Sequence, residues 1–131
     1  MSATRHHKEF TELYEIIKQL RGPNGCPWDR KQSPESIKKY LIEETNELAD
    51  AITQEDARHI CEEIGDLFFI LLLLVRMYEE DDQFTPHDVY SGIAQKMIRR
   101  HPHVFAGIKT GSESELKQQW EAIKAREKKN P

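Results

Sequence analysis

Apolar residues recur along most of this chain at the three-to-four residue spacing of helices laid on a core. Phe10, Leu13, Ile17 and Leu20 fall on one face of a helix running from about Lys8 to Leu20. Ser33-Pro34 reads as N-cap and first residue of a second helix, with Ile37, Leu41, Leu48 and Ile52 as its stripe. The polar TQEDA, residues 53–57, is a turn, and a third helix follows from about Ala57 to Glu80. Its centre, LFFILLLLV, is apolar almost all round. Asp81 to Gln83 break it, Thr85-Pro86 opens a fourth helix to about His101, and Pro102 ends that one. Ser112-x-x-Glu115 reads as the capping box of a last helix, with Leu116, Trp120 and Ile123 inward. Between the first two helices, RGPNGCP forces a loop that carries Trp28 and Asp29. Neither strand-like alternation nor an internal repeat is present. The pattern predicts an all-α helical bundle in a single domain, residues 1–131.

The polar exceptions on these stripes carry the chemistry. Glu44 falls on the apolar stripe of the second helix, with Glu43 and Glu47 along its edge. The third helix repeats the anomaly: Glu63 and Asp66 share a face with Leu67, Ile70, Leu73 and Leu74. Fifteen residues containing a turn separate Glu47 from Glu63, so the helices can fold back antiparallel and bring the acids face to face. Four carboxylates in a low-dielectric seam repel one another and do not all stay ionised unaided. A hard divalent cation resolves the conflict, Mg²⁺ first and Mn²⁺ as the alternative. One Glu-x-x-Glu alone is usually a solvated surface cluster. The second pair, set in an apolar run, favours the metal site. Helical di-iron sites draw on Glu-x-x-His pairs, and Asp50, Asp66 and Phe69 stand where those histidines would fall. Iron is therefore the weaker case.

The opposite charge comes from KMIRRHPHVF, residues 96–105. Lys96, Arg99 and Arg100 lie on one helical face and suit phosphate oxygens, although cations near a helix C-terminus are often just solvated. Net charge is −4 with 32% charged residues, which indicates no nucleic-acid partner. Two cysteines are too few for a disulfide framework, and Cys61 reads as a small apolar filler. The N-terminus lacks an apolar signal region and the nine-residue apolar run is too short to span a membrane, so no membrane partner and a cytoplasmic location are expected. His101 and His103 read as hydrogen-bonding residues past a helix end, and Trp28 as either pocket lining or core plug.

EETNE (Glu43–Glu47) followed by EIGD (Glu63–Asp66) resembles the paired acidic motif of MazG-type nucleoside triphosphate pyrophosphohydrolases. GCPWD, RRHPHVF and WEAIKAREK are similar to that family's other characteristic stretches, in the same order, from about Leu20 to Lys128. The resemblance implies the all-α NTP pyrophosphatase fold with a dimeric four-helix-like core. The implied reaction converts a nucleoside triphosphate and water to the monophosphate and pyrophosphate with Mg²⁺. By motif match, Glu44, Glu47, Glu63 and Asp66 are metal ligands, with Glu43 beside them as candidate base; these five form the expected catalytic set. Lys96 and Arg100, with Arg99, fall where the family contacts phosphates, and Trp120 where it contacts the nucleotide. Tyr40 and the stretch His59 to Glu62 fall along the same cleft. A homodimer is expected to bury Phe68, Phe69 and Leu72 of the third helix. Many members carry two such domains in tandem; one is read here. The rivals are a non-catalytic helical dimer with a regulatory role and a related hydrolase of a phosphoribosyl-nucleotide or dUTP-type substrate. All four ligands being acidic argues against the first, and RRHPHVF against the second. Base preference is not legible, since one aromatic stacks with any nucleobase.

Overall fold

The computed structural model describes residues 3–109 and 111–130, with side chains from residue 7 onward. Among the described residues every regular element is helical: α1 (Ala3–Leu20), α2 (Pro27–Lys31), α3 (Pro34–Gln54), α4 (Ala57–Glu80), α5 (Pro86–Arg100), α6 (Pro102–Phe105) and α7 (Glu113–Lys129). The backbone divides into two compact units, residues 1–86 and 87–131.

In the first unit α3 and α4 form a hairpin, and α1 packs on α4. Tyr14, Ile17, Ile37, Ile70, Leu72, Leu73, Val75 and Met77 make the core, and Ile17 and Leu73 are wholly inaccessible to water. Each fully buried aliphatic side chain stabilises the fold by about 1.5–3 kcal/mol. The hairpin turn is shorter than the sequence suggests. α3 continues to Gln54, Glu55 takes a left-handed conformation (φ 57°), and Asp56 caps α4 through the backbone N–H groups of Arg58 and His59. At the other end of α3, Ser33 accepts from the Ser36 N–H while the Ser36 hydroxyl accepts from the Ser33 N–H. This is a capping box built with serine in place of the usual acid or amide.

Trp28 and Asp29 sit in the short helix α2, opened by Pro27, and not in a loop. The chain reaches α2 by passing close under the end of α1. The Cys26 N–H donates to the Leu20 carbonyl at 2.8 Å, and a Cβ on Gly25 would stand 2.1 Å from that same oxygen. Only glycine fits there. Arg21 then ties three segments together, with Nη2 2.7 Å from Glu80 and Nη1 donating to the carbonyls of Asp29 and Gln32.

Three further expectations are corrected in this unit. Ile52 is 56% exposed, while Ala51 is buried. At about 100° per residue Ile52 has rotated about 60° from Ile37 and Ala51 only about 40°, so alanine holds the seam. Leu72 is buried in this unit's own core together with Tyr14 and Ile17, because α1 covers the face of α4 opposite α3. It has no surface to offer a second copy, whereas Phe68 is 52% exposed. Cys61 is exposed and fills nothing.

In the second unit α5 holds no buried residue, and Ile123 of α7 is buried. Leu116 and Trp120 of α7 are half-buried. Pro102 both ends α5 and starts the single turn of α6. Ser112 accepts from the Glu115 N–H at 3.2 Å, but the Glu115 carboxylate reaches back to the Gly111 N–H at 2.9 Å instead of the Ser112 N–H. The expected capping box is thus half-made. No described helix is long and apolar enough to cross a membrane.

Candidate active site

Glu44 and Glu47 project from α3, and Glu63 and Asp66 from α4. One oxygen of each lies within 4.8 Å of the others. The hairpin brings together the four acids singled out from the sequence. Glu63 is buried, Glu44 half-buried, and Glu47 and Asp66 are exposed, so the cluster has a dry floor and a wet rim. Oε2 of Glu44 and Oε2 of Glu63 are inaccessible to water and have no hydrogen-bond partner. A buried polar atom left unpaired costs about 1–3 kcal/mol, and more when charged.

The electrostatics follow from this arrangement. Burial pushes the Glu44 carboxyl above the usual carboxylate range, with Glu47, Asp66 and Glu63 adding to the effect. Burial also raises Glu63, again reinforced by Glu47 and Asp66, while its hydrogen bond to His59 pulls the other way. A cluster that resists its own charge and keeps two oxygens unpaired is matched to a cation. The ligand atoms are all carboxylate oxygens, the donor set of a hard divalent ion. The residues therefore fit the metal that the motif implies.

Glu43 and Glu62 are exposed neighbours of Glu44 and Glu63 and stand outside the ligand group. Tyr40, one turn before Glu44, packs edge-on against Trp28 with ring centroids 5.2 Å apart. The two rings border a cavity of about 340 Å³ together with Lys31, Gln32, Ser36 and Lys39. Trp28 therefore serves both roles, lining a cavity and packing against the core.

The second unit corrects the picture of three open cations. Arg99 Nε lies 2.6 Å and Arg100 Nη2 2.8 Å from the carboxylate of Glu127 on α7. The Arg100 and Arg99 hydrogen bonds hold Glu127 down to about 2. Arg100 also stacks its guanidinium 5.1 Å from the Trp120 ring, which meets His101 edge-on. Lys96 has no ion pair among the described residues and is half-buried. His101 Nδ1 meets the Met97 carbonyl at 2.6 Å and His103 Nδ1 the Gln119 amide at 3.1 Å, which makes His101 the backbone-bonded residue expected. Glu127 was not singled out from the sequence; it lies 27 residues from Arg100 and no local pattern marks the pair. The His59–Glu63 hydrogen bond had a readable signal, since the two are four apart on one helix.

Residues 32–105, more than half of the chain, match the MazG nucleotide pyrophosphohydrolase domain. A mazG-related protein from Thermotoga maritima, known as a crystal structure, superposes with a TM-score of 0.72 at 31% identity, covering 88% of this chain and 98% of that one. The chain is 48% identical over 122 residues to the uncharacterized protein YabN of Bacillus subtilis, covering 93% of this chain and 25% of that protein. It is 40% identical over 121 residues to the nucleoside triphosphate pyrophosphohydrolase of Escherichia coli K12, covering 92% of this chain and 46% of the relative. The chain belongs to the MazG nucleotide pyrophosphohydrolase domain family. It spans between a quarter and about half of the length of these curated relatives.

Proposed function

We propose that the chain hydrolyses nucleoside triphosphates to nucleoside monophosphates and pyrophosphate, with Mg²⁺ held by Glu44, Glu47, Glu63 and Asp66. The observation that carries the proposal is the pair of buried, unpartnered carboxylate oxygens on Glu44 and Glu63 within a four-acid cluster. Family membership and a curated relative of that activity support it. Bound among these acids, the cation supplies positive charge to the triphosphate. Glu43, exposed beside Glu44, is the proposed base that accepts a proton from the attacking water. Tyr40 and Glu62 are proposed to border the nucleotide, and Lys96, Arg99, Arg100 and Trp120 enter on the motif match as its phosphate and nucleotide contacts. For Arg99 and Arg100 this role requires exchanging Glu127 for phosphate oxygens, one charge-assisted partner for another.

The proposal extends to organisation. The whole of residues 1–131 acts as one catalytic domain, in the cytoplasm where nucleoside triphosphates are made. It works as a homodimer, supported by the exposed Ile42, Ile52, Ile64, Phe68 and Leu71 of α3 and α4. The test is a panel of ribo- and deoxyribonucleoside triphosphates with Mg²⁺, followed for pyrophosphate and monophosphate. Release of orthophosphate and diphosphate instead, or no turnover on any member, would exclude this reaction.

A further inference from the structure

We infer that His59 is a positioning residue for the metal centre: it donates from Nε2 to Oε1 of Glu63 and so reserves Oε2 for the cation. The inference rests on the metal-centre reading above. The Nε2 to Oε1 distance is 3.2 Å, across one turn of α4. Glu63 is an acceptor on both oxygens when it ligates a cation, so the hydrogen must sit on Nε2 of the imidazole. That assigns the tautomer. Oε2, by contrast, is shut off from water and touches no donor.

The chemistry of the glutamate side chain explains why such a partner is needed. The last torsion of Glu is broad and roughly two-fold, so packing at Cγ does not set the plane of the carboxylate. Left alone, the group can turn either oxygen toward the cation or present both. A hydrogen bond to one oxygen sets the plane, and ligating carboxylates are commonly held in this way. The Glu63 side chain is only 10% accessible, and His59 is the hydrogen-bond partner of its Oε1. The turn of α4 that carries His59 is fixed at its start. The His59 backbone N–H lies 3.4 Å from Asp56 Oδ1, the cap that starts α4. A merely structural i, i+4 pair on a helix surface contributes only weakly to the fold, and would leave metal affinity untouched. His59 lies outside the four-acid ligand group, so its effect passes through Glu63.

The experiment is a titration of the full chain with Mn²⁺ alone, reading free Mn²⁺ by electron paramagnetic resonance, without nucleotide. His59→Ala should weaken Mn²⁺ binding about tenfold, the lower end of the usual range for such partners because the imidazole is partly exposed. The melting temperature of the metal-free protein should not change. His59→Gln keeps an N–H donor at similar reach and should restore most of the affinity. Wild-type Mn²⁺ affinity in His59→Ala, or a Gln variant no tighter than Ala, would overturn the inference while leaving the metal centre standing. A wild-type chain that binds no Mn²⁺ would overturn the metal centre itself.

Discussion

Glu63 is under two opposed demands, since its carboxylate is buried as a core residue would be, yet stands among three other acids. Removing its charge should therefore separate stability from activity. Glu63→Gln should lower hydrolysis by about two orders of magnitude or more by removing a metal ligand. The same variant should leave the metal-free fold intact or slightly more stable, because it deletes a carboxyl whose charge burial and its neighbours already disfavour. Pyrophosphate release and a thermal melt on one preparation check both halves, and near-normal turnover would remove Glu63 from the site. Gly25 carries a different kind of necessity. Its missing Cβ leaves room for the Leu20 and Gln19 carbonyls, which a methyl group would approach to 2.1 and 2.5 Å. Backbone cannot swing aside as a side chain can, so Gly25→Ala should destabilise the chain by about 2 kcal/mol or more. Urea unfolding at equilibrium measures that loss.

At the scale of elements, the α3–α4 hairpin builds the acid cluster, and its two-residue turn at Glu55-Asp56 sets which acids meet. In the second unit the link between α5 and α7 is ionic: Arg99 and Arg100 converge on Glu127. Its pH dependence has a definite sign. The Glu127 carboxyl lies at about 2 in the folded chain against an ordinary 4.5, so its stabilising effect is present above about 4.5. It is lost as pH falls through about 2, when the folded carboxyl takes up its proton. Glu127→Gln should therefore slow amide exchange less in α7 than wild type does at neutral pH, and the two proteins should converge in strong acid. Exchange in α7 that is identical at neutral pH would show that the pair is held without consequence for the helix.

For the whole molecule, the metal should act as a stabiliser. A cation that binds only the folded chain raises stability by mass action, about 2.7 kcal/mol at one hundred times its Kd. The melting temperature should rise with Mg²⁺ concentration, and excess chelator should abolish both the rise and NTP turnover. Full turnover in chelator would exclude a metal mechanism. The exposed Ile42, Ile64, Phe68 and Leu71 should be covered by a second copy. Sedimentation at micromolar concentration should give a dimer, and Phe68→Asp should shift it toward monomer; a stable folded wild-type monomer would count against the assembly.

The periodicity of Phe10, Leu13, Ile17 and Ile37 was enough to establish an all-α chain and its main helices, because a 3.6-residue repeat of apolar side chains has few other ways to be buried. The acid cluster was legible for the same reason: Glu44 and Glu63 fall on apolar stripes, with Asp66 one turn after Glu63, and two helices joined by a short turn can meet face to face. What lay beyond the sequence depended on contacts distant along the chain. α1 takes Leu72 for the core, Glu127 reaches back across 27 residues to Arg100, and Cys61 ends on the surface. Periodicity ranks faces within one helix, but which neighbour covers each face, and which charge closes on which, is decided only when the helices pack.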